Sequence, residues 1–185
     1  MVVASVGLTA AGCGLGGTKT VTKTQTRVVT TTKTMTTTGS PTAAAPCRGD
    51  QLDGTFTLVP GSAGAGQIAY QLTIKNTSPS PCSVRGIPTA TLLGVTGAAL
   101  PTHVRAAGGP AHRVVLQAGA SATAQARFSP DVPGTGDSQS GTCQPAAHTL
   151  QVSPAGGGVM DATIKPATSV CEQGTLNFAA FDYAG

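Results

Sequence analysis

One strand and the corner that follows it set the terms for this chain. Ile68, Tyr70, Leu72 and Ile74 recur at every second position. Gln67, Gln71, Thr73 and Lys75 alternate with them, and only Ala69 breaks the polar set. A period of two marks a half-buried β-strand, with one face in the core and one in water. Residues 76–88, NTSPSPCSVRGIP, come next: a turn-forming Asn-Thr-Ser, two prolines, a cysteine, and a Gly-Ile-Pro that starts the next apolar run. Proline fixes φ and removes a backbone donor, so a strand cannot run straight through such a stretch. A cysteine at a rigid corner between two strands predicts a stapled all-β domain.

The rest of the chain from Cys47 onward has the same texture. Further strands are expected at 52–59, 89–93, 100–105, 113–117, 121–128, 148–153, 158–164 and 175–181, separated by Gly, Pro, Ser and Asp clusters. Segment 121–128 (SATAQARF) alternates alanine with polar residues, and its small side suggests close approach to another layer. No amphipathic helix stands out. About nine short strands at this spacing predict an all-β fold, an immunoglobulin-like β-sandwich, over 47–185. The usual Cys-Trp-Cys core is missing, because the chain has no Trp. Phe56, Tyr70 and Phe128 fall in strand-like runs and are expected in the core.

Cross-links matter here because the core is thin. Aromatic residues make up 3% of the 185 positions, so Ala, Val and Leu must fill most of the interior. Such cores gain most from disulfides. Four of the five cysteines (Cys47, Cys82, Cys143, Cys171) lie in the β-domain, and Cys13 lies far upstream. An even set in the domain suits an oxidising, extracytoplasmic compartment. No Cys-x-x-Cys pair or finger-like His spacing supports a structural zinc site.

The charge is unevenly placed. The net +4 arises from Lys19, Lys23, Arg27 and Lys33, with no acid among them. From Cys47 onward, seven basic residues balance seven acids. A neutral domain with no basic stripe and no Trp lacks the phosphate contacts and stacking platforms of nucleic-acid binding, so no nucleic-acid partner is expected.

The N-terminal segment reads as an address and a spacer. Residues 1–13, MVVASVGLTAAGC, are small and apolar, too short for a membrane span but suited to a signal-peptide h-region. Ala10, Ala11 and Gly12 before Cys13 resemble a bacterial lipobox, which implies lipidation of Cys13. Ala10 stands where that motif most often has Leu. No Lys or Arg precedes Lys19, so the basic n-region is expected upstream of Met1. Residues 14–46 are rich in Thr, interleaved with Lys, Val, Gln and Arg, and end in GSPTAAAP. With no apolar face to bury, they are expected to form a disordered stalk and linker reaching about 110 Å at full stretch.

Over roughly 47–182 the chain resembles the actinobacterial domain of unknown function 4232, found in secreted proteins and lipoproteins. The resemblance rests on Cys47, on Asn76 and Ser78 closing a strand, and on Cys82, Gly86 and Pro88, followed by Leu92 and Leu93. It continues through Val114, Leu116, Gly119, Ser121 and Ala122, then Cys143, Leu150 and Val152, and closes with Cys171 and Leu176. It implies export and a β-rich fold, and carries no activity. Four cysteines allow three pairings. Cys47–Cys82 with Cys143–Cys171 is favoured, since each link joins neighbouring segments; a Cys47–Cys171 clasp of the termini is the alternative.

A search for chemistry finds little. His103, His112 and His148 form no His-x-His or Glu-x-x-His group, and Asp131 and Asp137 lack the regular spacing of a calcium loop, which favours a turn role. No nucleophile elbow or phosphate loop is present. Asn76-Thr-Ser matches a glycosylation sequon, although Pro79 favours a turn. Phe181 and Tyr183 fall on one side of a terminal strand and are the first candidates for an exposed contact patch. The expectation is therefore a non-enzymatic, lipid-anchored or secreted envelope protein with no cofactor and no metal. It would touch the membrane through its N-terminal lipid and bind an envelope polymer or protein. The alternative is a secreted enzyme or accessory subunit with a site assembled from loops, favoured if one of the histidines shares a pocket with an acid.

Overall fold

The computed structural model of the chain describes residues 44–185. The segments expected at 1–13, with Cys13, and at 14–43 lie outside the described residues.

Eleven strands build the domain. They are β1 (Leu52–Leu58), β2 (Ile68–Asn76), β3 (Cys82–Arg85), β4 (Ala90–Leu93), β5 (His103–Ala106) and β6 (Arg113–Leu116). They continue with β7 (Ser121–Phe128), β8 (Ala147–Val152), β9 (Met160–Thr168), β10 (Thr175–Phe178) and β11 (Asp182–Tyr183). A short 3-10 turn, Gly49–Gln51, precedes β1, and one helical turn, α1 (Cys171–Gly174), precedes β10. The fold is all-β, as the alternation requires.

Nine strands share one sheet in the order β4-β8-β9-β1-β2-β7-β10-β5, with β11 on β7; β3 and β6 form a separate ribbon. Most neighbours are antiparallel, but β1 runs parallel to β9 and β10 parallel to β5. The sheet is strongly rolled. On a flat sheet, rings on β1 and β10, three strands apart, would sit about 14 Å from each other. The Phe56 and Phe178 ring centroids are 5.9 Å apart. The two edges also meet: the Leu100 N–H donates to the Leu92 carbonyl at 2.8 Å, and the Leu92 N–H to Thr102 Oγ1 at 2.9 Å. Layers therefore face each other across one core, and the β3–β6 ribbon closes a side through Cys82, Val84, Val114 and Leu116.

The pattern of side-chain sizes explains the roll. On β2, Tyr70, Leu72 and Ile74 point inward; their partners on β7 are Ala126, Ala124 and Ala122. Each large residue thus stands beside a methyl group, which leaves room for rings from elsewhere. Phe56 and Phe128 fill that room beside Tyr70, whose ring lies 5.1 Å from Phe56 and 5.3 Å from Phe128. Tilted rings at this separation add about 0.5–1.5 kcal/mol per pair beyond their burial. The Tyr70 hydroxyl escapes an unpaired fate by donating to the Pro166 carbonyl at 2.9 Å.

Several sequence boundaries shift: the strand expected at 100–105 starts at His103, and the one expected at 158–164 runs from Met160 to Thr168. The expected strand at 175–181 ends at Phe178, and the chain resumes as the two-residue β11. The linker expected to run through Pro46 is already docked at Ala44. The Ser83 N–H donates to the Ala45 carbonyl at 2.8 Å, its hydroxyl donates to the Ala44 carbonyl at 3.0 Å, and the Cys47 N–H donates to the Ser83 carbonyl. The outer edge of β3 has polar groups to satisfy, and the incoming chain supplies the partners.

Candidate functional site

The corner after β2 is built on one buried side chain. Asn76 is 0% exposed. Its Nδ2 donates to the Ser80 carbonyl at 2.8 Å and to the Leu116 carbonyl at 3.0 Å, while Oδ1 accepts from the Ser78 N–H at 3.0 Å and hydroxyl at 2.8 Å. A primary amide offers donors and acceptors together, so all of its polar atoms find partners without charge. Full burial also removes Asn76 as a glycan acceptor in the folded domain. Cys82, six residues on, is bonded to Cys47, and the chain then turns at Gly86, whose φ of 73° suits glycine.

Behind this corner lies an apolar cavity of about 160 Å³. Leu52, Ile74, Val84, Ile87, Val152 and Phe181 form its walls. The Phe181 N–H donates to the Gly86 carbonyl at 2.8 Å, which closes one wall against the corner. A more open groove beside it is lined by Pro46 and Arg113, and shares Ser83, Val84, Arg85 and Ala155 with the cavity. Arg85 on β3 lies directly opposite Arg113 on β6. Both are exposed, and neither is in an ion pair with a described residue.

Phe181 and Tyr183 do not form the exposed pair that alternation suggested. Phe181 is 4% exposed and Tyr183 is 55% exposed. The reason is the break after Phe178: the bond to Gly86 pulls residue 181 inward before pairing with β7 resumes at Asp182. Tyr183 leans on the ribbon, its hydroxyl accepting from the Val115 N–H at 3.3 Å.

A second polar device sits beside the other disulfide. Cys143 and Cys171 are bonded, and α1 follows. Glu172 and Gln173 adopt left-handed backbone angles, with φ of 53° and 55°, and Gly174 has φ of 76°. Side-chain-bearing residues resist this region by roughly 1–2 kcal/mol each. Asp137 compensates. Its carboxylate accepts from the Glu172 N–H at 2.5 Å, the Gln173 N–H at 2.8 Å and the Gly134 N–H at 2.8 Å. The Gly134 bond, with the two turn bonds beside it, outweighs desolvation and holds the Asp137 carboxyl below its ordinary range. Asp137, Cys143 and Cys171 have their potential ligand atoms within 4.8 Å of one another. Both sulfurs are consumed in the disulfide and the carboxylate is occupied by N–H groups, so the cluster suits a backbone clamp and not a metal ion.

The histidines lie apart. His112 Nε2 is 3.3 Å from an Asp182 oxygen on the exposed surface. His103 lines a wide polar cleft with Arg105, Thr135, Glu172, Gln173 and Thr175. His148 is exposed on β8 and lines neither the cleft nor the His112–Asp182 contact. Asp131 is likewise exposed and has no side-chain partner among the described residues. Sequence reasoning missed the cavity and the Arg85–Arg113 pair, because β3 is a four-residue strand inside what reads as a turn.

The family model described as "Domain of unknown function (DUF4232)" matches residues 47–182. No curated protein and no solved structure matches the chain.

Proposed function

We propose that this chain, which belongs to the DUF4232 family, is an extracytoplasmic envelope protein that works by binding rather than by chemical conversion. The observation that carries the reading is the pair of disulfides, Cys47–Cys82 and Cys143–Cys171, which use every cysteine of the domain. Paired cysteines of this kind belong to oxidising compartments. No helix among the described residues is long and apolar enough to cross a membrane, so attachment would fall to the lipobox-like segment through Cys13. The domain would then stand off the membrane on the Thr-rich stalk, with an envelope polymer or protein as partner.

Intact mass of the protein purified from its native envelope, with and without reduction and alkylation, tests this. The expected species begins at Cys13, carries diacylglyceryl mass, and gains four alkyl groups only after reduction. An unlipidated chain retaining Met1, with all five thiols alkylated before reduction, would overturn export and anchoring together.

A second reading, a secreted enzyme or accessory subunit, draws on His103 and Glu172 lining one cleft. No hydrogen bond joins their side chains in the described structure. On that reading, His103→Ala and Glu172→Gln each abolish turnover of an envelope polymer by the purified full chain; unchanged or absent turnover sinks it.

A further inference from the structure

We infer that the apolar cavity behind the corner and the Arg85–Arg113 pair at its edge form one binding site for a small amphipathic anion. Its ligand carries a carboxylate or phosphate-ester head on an apolar group of about six carbon atoms. The inference rests on the binding reading above and adds the ligand class.

The volume sets the apolar part. A dry engineered cavity of about 150 Å³ accepts benzene, and this one measures about 160 Å³ with predominantly aliphatic and aromatic walls. A native core is normally close-packed, with few voids larger than a water molecule. Here a partly open pocket of that size stands where β1, β2, β3, β8 and the segment before β11 converge.

The arginines set the head group. Like charges placed directly opposite on paired strands are unfavourable, and Arg85 and Arg113 are such a pair. Arg85 spends only Nε on the Ala111 carbonyl, at 3.3 Å. Its terminal NH2 groups have no partner among the described residues, and neither do those of Arg113. Guanidinium groups bind carboxylate and phosphate oxygens through paired N–H bonds. An anion held between the two guanidinium groups would relieve their repulsion. Because the groove shares Ser83, Val84 and Arg85 with the cavity, a head on the arginines leaves its tail at the cavity mouth.

The test is a titration of the full chain, followed by amide NMR, with hexanoate and hexyl phosphate in separate arms. Saturable shifts at Ile87, Val152 and Phe181 with either probe support the site, and the stronger probe identifies the head. Hexan-1-ol and inorganic phosphate should each bind at least about tenfold more weakly than that probe. Arg85→Gln with Arg113→Gln should weaken it by about tenfold or more, and both positions are exposed, so the fold is retained. Val152→Phe, which fills the cavity, should abolish tail binding. No saturable shift with either probe, equal binding of hexan-1-ol, or unchanged affinity in the double arginine variant would overturn the site. None of those outcomes alters the mass measurement, so a failed titration and a failed export reading remain distinguishable.

Discussion

The corner at Asn76 and the turn at Glu172–Gly174 solve the same problem with different chemistry. Each lies beside a disulfide, and each needs one side chain to hold backbone groups that no strand can pair. At the corner the open groups include carbonyls, so the answer is an amide that donates and accepts, fully buried and uncharged. At the turn the open groups are N–H donors, so the answer is a carboxylate, which can only accept. A charged acceptor must keep some access to water, and Asp137 does so. One clamp is therefore indifferent to pH, and the other is not.

The largest effect should come from cutting the covalent frame. Removing Cys47–Cys82 as a paired Cys→Ser variant frees a separation of 35 residues and should cost about 4 kcal/mol. Removing Cys143–Cys171, with a separation of 28, should cost slightly less from loop entropy. A second variant that loses more in urea unfolding than the first would show that the left-handed turn depends on its sulfur anchor.

Asn76→Ala comes next, at about 3 kcal/mol, because the Ser80 and Leu116 carbonyls lose their donor in a dry site. Asn76→Asp sharpens the comparison. It points a carboxylate at those carbonyls, so its folded pKa should rise. Its stability should be greatest below the unfolded pKa and fall as pH rises through the folded value. Denaturation midpoints across pH 3–7 that stay flat for Asn76→Asp would break the argument.

Asp137 should show the opposite sign at smaller amplitude. Its folded pKa is lowered, so its contribution is present above the unfolded carboxylate pKa and disappears as pH falls through the folded value. Asp137→Asn should weaken the turn at neutral pH and erase that acid slope, read by thermal melts at matched ionic strength.

The smallest effect lies at alkaline pH. Burial raises the Tyr70 pKa above its ordinary value, against a smaller lowering by the Thr168 side chain nearby. Its contribution should hold below the unfolded value and fade as pH climbs through the folded one, while Tyr70→Phe, lacking the phenol, should not show the loss.

Legibility tracked the range of the signal. Strands β1, β2 and β7 were readable because alternation is local: Tyr70, Leu72 and Ile74 declare their face within nine residues. Strand β3 was hidden, since Cys82-Ser-Val-Arg is too short to show a period and sits among prolines. The parallel pairings of β1 with β9 and of β10 with β5 leave no mark in either partner's sequence. Phe181 and Tyr183 share a side only if the strand is continuous, and the Gly86 contact that interrupts it comes from far along the chain. Asp137 was legible as a turn residue, but its clients, Glu172 and Gln173, were not.

The sequence by itself determined an all-β domain from Cys47 onward, its inward residues, its four-cysteine frame, and a rigid corner after Ile74. Those follow from dihedral restriction, alternation and composition, which act over a few residues. Only the tertiary structure decided how far the sheet rolls, which residues meet behind the corner, and that two arginines face each other beside an apolar cavity. Those outcomes depend on packing between distant segments, where the size of one side chain sets the room for another.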